Sequence, residues 1–281
     1  MKAVDALEGF EAHRALLFGI AYRMLGSAAD ADDILQEARL RWLAAPWADV
    51  HDVRAYLVTI VSRLCLDHLG SARVRREQYV GPWLPEPIAT APDADPESLS
   101  MAFLLLLERL SPAERAAFLL SEVFDYTHAE VAATLGKSEE ACRQLAARAR
   151  RHVREGRARS VDRAEHARVL GAFVVACASG DLAALERLLA DDVVVRSDGG
   201  GRARAARRPV VGRHRVVRLL VGLTRKGGAH ARVEPCEVNG LPAVRVREDG
   251  VVTSVISLDL QEGRIAAVFI VRNPDKLARV S

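Results

Sequence analysis

The chain reads as a multidomain protein: two all-α domains followed by an α+β domain built on a curved antiparallel sheet. Three observations predict this. Apolar residues recur at helical spacing over about 5–80 and again over about 98–157. Five of the eleven prolines crowd between those blocks, at positions 82, 85, 87, 92 and 96. After about residue 163, two helical stretches give way to β-branched runs broken by glycine turns, and helices followed by strands is the order of an α+β domain. The boundaries follow as 1–79, a linker at 80–98, then 99–157 and 163–281, and 281 residues are enough for more than one domain.

In the first block, Phe10, Leu17, Ile20, Ala21 and Met24 share a helical face before the break at Gly26. A second helix then runs from Ser27 to Trp42. Its acids sit in the early turns and its arginines in the late ones, so charge opposes the dipole at each end. A third helix spans about Val53 to Leu69, with Tyr56, Ile60 and Leu64 along one side, and leads into Arg73-Val74-Arg75-Arg76.

The prolines then remove backbone donors and push their preceding residues out of helix, predicting an extended linker. A tryptophan between prolines, in Pro82-Trp83-Leu84-Pro85, exposes much apolar area unless it docks, so Trp83 is expected to pack against something. In the second helical block, Ser111-Pro112-Ala113-Glu114 and Thr127-His128-Ala129-Glu130 both form capping boxes. The helix opened by Thr127 stops at Gly136, and Ser138 starts another that carries Arg143, Arg148, Arg150, Arg151 and Arg154. A short helix, a glycine turn and a basic helix make a helix-turn-helix.

In the last block, helices are expected at about 163–178 and 181–190. Strands are expected around Val193–Val195, Pro209–Val211, Ala243–Val246, Val251–Leu260 and Ile265–Val271, with hairpin turns at Gly240, Asp249-Gly250 and Glu262-Gly263. From 199 to 233 there are ten basic residues and no acid. This stretch reads as a mobile loop, and it serves either as a second nucleic-acid or polymerase surface or as a solvated segment.

Composition narrows the function classes. Half of the residues are hydrophobic and 27% charged, which excludes wholesale disorder. No run approaches the roughly 20 apolar residues of a membrane span, and the N-terminus carries no secretory pattern, so no membrane association and a cytoplasmic location are expected. Cys65, Cys142, Cys177 and Cys236 are widely spaced and free of CxxC pairs, which argues against a zinc ribbon and for a reducing compartment. The net charge is only +3, but arginine supplies 36 of the 40 basic residues.

If Cys142, Ala146, Ala149 and Val153 face inward, then Arg143, Gln144, Ala147 and Arg151 face outward on the basic helix. There arginine can pair with guanine and glutamine with adenine in the major groove. Arg148, Arg150 and Arg154 are better placed for phosphates. The acidic group Asp32, Asp33, Gln36 and Glu37 would repel DNA and so should face protein. Carboxylates four apart share a face, but nothing completes a metal shell, so neither a metal nor any other cofactor is expected.

Ala21-Tyr22-Arg23-Met24-Leu25-Gly26-Ser27 with Ala31-Asp32-Asp33-Ile34-Leu35-Gln36-Glu37 resembles region 2 of bacterial sigma factors, and Ser111 to Arg150 resembles region 4. The short spacing between them resembles the extracytoplasmic-function (ECF) group. Trp83-Leu84-Pro85-Glu86-Pro87, Asp198-Gly199-Gly200-Gly201 and Asn273-Pro274-Asp275-Lys276 resemble its sigma-J-like subgroup, which carries a SnoaL-like (NTF2-like) C-terminal domain.

The resemblance implies a sigma factor that binds RNA polymerase core, through the largest-subunit clamp and the flap, and promoter DNA. It implies core contacts at Asp32, Asp33, Gln36, Glu37 and Arg41. It implies −10 contacts at Tyr56, Arg63, Arg73, Arg75 and Arg76, and −35 contacts at Arg143, Gln144, Arg148 and Arg151. It implies that the C-terminal domain regulates the chain without a separate anti-sigma factor. Trp83, Asp198, Gly199, Gly200, Asn273, Pro274, Asp275 and Lys276 would be the regulatory contacts. Whether a small molecule occupies the NTF2-like cone is left open.

Two other readings stand beside it. One is a ligand-sensing helix-turn-helix repressor. The other is a SnoaL-like isomerase or hydrolase with a DNA-binding appendage, in which Asp191, Asp192, Asp198, His214 or His230 would supply an acid–base pair. The expected reading is not an enzyme.

Overall fold

The computed structural model describes residues 3–47, 50–89, 98–156, 162–226 and 231–280; the side chains of 3–5, 71–77, 155–156 and 226 lie outside the description. The chain divides into two units, one formed by 1–77 and 106–156, the other by 78–105 and 157–281.

The first unit is all helical. Its N-terminal block comprises α1 (Ala3–Glu11), α2 (Arg14–Leu25), α3 (Ala28–Leu43) and α4 (Val53–Glu77). Gly26 ends α2 at φ 68°, a left-handed conformation that a residue with a Cβ resists. Ser27 then caps α3, its hydroxyl accepting from the Asp30 amide at 3.2 Å. Trp42 is fully buried at the far end of α3, and its indole N–H donates to the Ala6 carbonyl at 2.6 Å. That bond lets the largest side chain of the unit enter the core without an orphaned donor.

The second block comprises α6 (Pro112–Phe118), which continues through a π-turn at Leu119–Val123, then α7 (His128–Leu135) and α8 (Glu139–Gly156). Both expected capping boxes form, at Ser111/Glu114 and Thr127/Glu130, and Gly136 ends α7 at φ 62°. Helix α4 lies against both α6 and α7, so the two helical blocks share one unit. Arg115 is buried there, donating to the Met24 carbonyl at 2.6 Å and to Glu108 at 2.7 Å. Burial lowers its pKa to about 10.

The second unit is a six-stranded sheet with helices on one face and the linker with the start of a further helix on the other. Its elements are α5 (Met101–Leu107, residues 101–105 of it), α9 (Arg163–Ser179), α10 (Leu182–Leu188), β1 (Leu189–Asp198), β2 (Val210–Val211) and α11 (Arg213–Lys226). They are followed by β3 (Arg232–Val238), β4 (Leu241–Glu248), β5 (Val251–Gln261) and β6 (Arg264–Val271). Strand order is β2-β1-β6-β5-β4-β3. The meander β4–β6 is antiparallel as expected, and β3, a strand outside the expected set, extends it antiparallel to β4; β1 enters beside β6 in parallel, so the sheet is mixed. Helices α9 and α10 precede β1 and leave it running in the direction of β6. Register shifts in β1, β4 and β5 bend the strands.

Both faces of this sheet are covered. On one, Val169, Leu170 and Phe173 of α9 and Val216, Val217 and Leu220 of α11 pack with Leu258, Val268 and Ile270. On the other, Leu84 of the linker and Met101 of α5 pack with Ala243, Val255, Phe269 and Val271. Residues 78–89 and 98–105 thus belong to the C-terminal unit rather than standing apart as a spacer. The remainder of the expected linker, 90–97, lies outside the described residues.

The expected loop over 199–233 is corrected in part, because Arg213–Lys226 is a helix of 14 residues. Its start has no acid in the first turn, and the pairs Val210-Val211 and Val216-Val217 look like strand. The helical signal is instead the burial of Val216, Val217, Leu220 and Val221, four apart in two pairs. Among the described residues, no helix is long and apolar enough to cross a membrane.

Candidate functional site

The most completely bonded polar group in the second unit is Asp198, fully buried at the end of β1. Its Oδ1 accepts from the Tyr79 hydroxyl at 2.6 Å and from the Gly200 amide at 3.0 Å. Its Oδ2 accepts from the Leu84 amide at 2.9 Å and from Lys276 Nζ at 2.8 Å. Four donors fill the four lone-pair sites of one carboxylate. Lys276 Nζ also donates to the Leu84 carbonyl at 2.6 Å, and it lies 4.3 Å from the Trp83 ring centre and 5.0 Å from that of Tyr79. One ion pair therefore holds both backbone groups of Leu84, while aromatic faces cover the cation.

The three motifs singled out by sequence meet here. Asn273 Nδ2 donates to the Tyr79 hydroxyl at 2.9 Å, and its Oδ1 accepts from the Asp275 amide at 3.2 Å. The Asn273 amide returns to the Asp198 carbonyl at 3.0 Å. Pro274 opens the single 3₁₀ turn that presents Lys276. Asp275 receives Arg202 at 2.7 Å on the surface. Gly200 has φ 58°, and a Cβ there would stand 2.3 Å from Asn273 Nδ2. A Cβ on Gly199 would stand 2.2 Å from the Ala203 carbonyl oxygen. The glycines are required by close approach and by backbone conformation.

Tyr79, Asn239 and Glu86 were not singled out by sequence as site residues; Tyr79 and Asn239 hold the linker, and Glu86 anchors it from within. Burial and the adjacent Asp198 carboxylate both push the Tyr79 phenol well above its ordinary pKa. Asn239 accepts from the Ile88 amide at 3.3 Å through Oδ1 and donates to the Leu99 carbonyl at 3.1 Å through Nδ2, while its own amide donates to the Ile88 carbonyl at 3.0 Å. It sits at φ 54°, where Asn is among the few tolerated residues. Buried Glu86 faces Arg279 at 3.7 Å. The usable signal was the Asn239-Gly240 turn pair, read only as a hairpin.

In the first unit, Cys142, Ala146, Ala149 and Val153 of α8 are buried and Arg143, Gln144, Arg148 and Arg151 are exposed, the division that the helical period predicts. Arg143 pairs with Glu140 at 2.7 Å and Glu139 at 2.9 Å; Gln144 bonds Glu140 at 3.0 Å. Arg148 reaches Glu114 at 3.1 Å, and Arg150 is held by Glu122. The Ser111 hydroxyl and Arg148 hold the Glu114 carboxyl below its ordinary range, Ser111 most strongly. Arg151 has no hydrogen bond or ion pair among the described residues.

Helix α3 turns Asp33, Gln36, Glu37 and Arg41 outward beside Leu40, which is 64% exposed, while Asp32 is half-buried. Arg41 is paired with Glu37 at 2.9 Å, and Arg14 lies 3.6 Å from Asp32. Tyr56 is half-buried, its ring 5.7 Å from that of Trp42. Arg63 donates to the carbonyls of Thr134 at 3.1 Å and Ala133 at 3.5 Å, at the end of α7. Arg54 bonds the Tyr126 hydroxyl at 3.1 Å beside it. Arg73, Arg75 and Arg76 fall in α4, but their side chains lie outside the described residues.

The acid–base candidates do not converge. Asp191 is surface-exposed and paired with Arg213 at 2.6 Å, Asp192 is exposed, and Asp198 is spent on the linker. His214, expected in a loop, is on α11 with its side chain 88% exposed. His230 lies outside the described residues.

The sequence models of sigma-70 region 2 and sigma-70 region 4 match residues 10–75 and 100–153. The chain is 41% identical to the ECF RNA polymerase sigma factor SigJ of Mycobacterium tuberculosis, over 95% of this chain and 91% of that protein. It is 37% identical to a probable ECF sigma factor, SigI, of the same species, over 95% and 93%. The crystal structure of the M. tuberculosis SigJ protein superposes with a TM-score of 0.78 at 38% identity, covering 97% of this chain and 98% of that one.

Proposed function

Because the chain belongs to the extracytoplasmic-function sigma factors, which bind RNA polymerase core and direct transcription initiation at promoters, we propose how its own residues divide that work. The outward face of α3, with Asp33, Gln36, Glu37 and Arg41 and the flanking Asp32, meets the core enzyme. Tyr56 and Arg63 of α4, with Arg73, Arg75 and Arg76, engage the −10 element. Arg143, Gln144, Arg148 and Arg151 of α8 engage the −35 element, each giving up a surface carboxylate or solvent for DNA. In the free chain Arg63 spends its donors on α7, and it exchanges those carbonyls for nucleic acid when the two helical blocks separate on the polymerase.

The C-terminal unit regulates this activity through the linker, acting inside one cytoplasmic chain and so without a separate anti-sigma protein. The observation that carries the reading is the buried Asp198–Lys276 pair, which spends two hydrogen bonds on the Leu84 backbone and a third on Tyr79 just before the linker. Among the described residues, Asp191, Asp192, Asp198 and His214 do not come together as an acid–base pair, which favours regulation over covalent chemistry.

Run-off transcription with purified core tests it. Trp83→Ala and Lys276→Met should each change promoter-specific transcript yield at least about threefold while core affinity stays unchanged. Identical yields in both variants contradict regulation through the linker. Glu37→Lys should instead lower core affinity roughly tenfold or more, since a charge reversal in a contact costs well over 1.4 kcal/mol.

A further inference from the structure

Helix α11 carries its charge against its own dipole. The first turn holds Arg213, His214 and Arg215 with no acid, and Arg218 follows one turn later. Cations at a helix N-terminus are unfavourable, and α3 and α8 show the usual arrangement, with Asp30 or Glu139 and Glu140 in the first turn. Two of these side chains have local partners. Arg213 pairs with Asp191 and donates to the Leu189 carbonyl at 3.1 Å, and His214 lies 3.5 Å from Glu186. Arg215, Arg218 and Arg225 are exposed and make no hydrogen bond or ion pair among the described residues. None of the described residues pairs with them.

Their spacing is regular. Positions 215, 218, 222 and 225 fall on one helical stripe, and the residue at 222 is glycine, where an added Cβ would meet nothing within 4 Å. The stripe therefore has a low centre between guanidinium groups. Val216, Val217, Leu220 and Val221 are buried on the opposite side, so α11 cannot roll and the stripe is locked outward. Arg215 to Arg225 spans about 15 Å at 1.5 Å per residue. Over that length one strand of a duplex presents about four phosphates, at 3.4 Å of axis each. Exposed Arg207 and Arg208 lie just before β2, which packs beside α11, and the whole stretch 199–233 contains no acid. Guanidinium is the side chain suited to phosphate, because its planar fork donates two parallel bonds.

We propose that the outward stripe Arg215–Arg218–Arg225 of α11 binds the phosphate backbone of duplex DNA, giving the C-terminal unit a sequence-independent DNA contact of its own. No base is read there; the contact adds affinity without specificity.

The test is the salt dependence of binding of the full chain to a random-sequence duplex, followed by fluorescence anisotropy. Replacing Arg215, Arg218 and Arg225 together by Gln should lower affinity at least about tenfold near physiological salt. The slope of log K against log[salt] should fall by about 2–3, at about 0.9 per phosphate contact. The control Arg168→Gln/Arg232→Gln/Arg264→Gln removes the same charge from exposed positions elsewhere on the unit and should move affinity less than about twofold. The Arg→Lys triple at the stripe keeps point charges and should keep the slope to within about one, which separates lost contacts from lost folding. Equal losses in stripe and control variants would overturn the proposal, as would an unchanged slope in the Gln variant or a Lys variant as weak as the Gln one. So would a loss confined to core polymerase or anionic vesicles with DNA binding intact.

Discussion

Asp198 and Arg143 are both held by ion pairs, and the two pairs are built for opposite ends. Asp198 is fully buried, with every lone pair filled, and two of its partners are backbone amides that no rotamer change can replace. Arg143 stands on the surface of α8 between two glutamates of its own helix, all three side chains more than half exposed. Exposed pairs of this kind contribute about 0–1 kcal/mol, whereas breaking one partner of a buried pair costs about 3–5 kcal/mol. The C-terminal unit fixes its linker with interactions that are costly to undo. Helix α8, the proposed −35 contact, parks Arg143 and Arg148 on partners that are easily exchanged.

The largest expected effect comes from removing the buried carboxylate. Asp198→Ala strands Lys276, Tyr79 and the Leu84 amide together, and denaturant unfolding of the full chain should show a loss of about 3–5 kcal/mol. The double variant Asp198→Ala/Lys276→Met should recover at least about 1 kcal/mol of it, since the uncompensated charge is then gone. Simple additivity would break the contrast. Gly200→Ala is next, at about 2–3 kcal/mol, because it meets both a left-handed φ and the Asn273 side chain.

A third expectation concerns Asp259, a half-buried acid without such a set of donors. Burial raises the Asp259 carboxyl to about 6, and only Gln261 works against it. Its folded pKa exceeds its unfolded one, so the native state keeps a proton that the unfolded chain has lost. Stability contributed at low pH is therefore lost as pH rises from about 4 to 6. Asp259→Asn should flatten that fall and raise the melting temperature at neutral pH, by the equivalent of about 1–3 kcal/mol. The smallest effect is expected on α8: Glu139→Gln/Glu140→Gln should shift stability by less than about 0.5 kcal/mol and strengthen DNA binding, as the competing carboxylates are removed.

What could be read in the sequence was whatever local chemistry dictates. Both capping boxes, the inward face of α8 and the turns at Gly26 and Gly136 all follow from interactions among residues a few positions apart. Trp83 signalled a docked linker because an indole between prolines has no local use. Its partners could be placed only through resemblance, since Asp198 and Lys276 lie more than a hundred residues along the chain and meet through the parallel pairing of β1 with β6. Tyr79 and Asn239 were missed for the same reason: their roles are to satisfy distant backbone groups, and nothing in their own neighbourhood marks them. Helix α11 was missed because its charges contradict the rules that mark helix ends.

Amide hydrogen exchange of the linker tests the contrast most directly. In the intact chain the Leu84 and Ile88 amides, donated to Asp198 and Asn239, should exchange far more slowly than unstructured peptide, and Asp198→Ala should abolish protection at Leu84 first. Leu84 exchanging at the peptide rate in the unaltered chain would contradict the claim that the C-terminal unit holds its linker through that carboxylate.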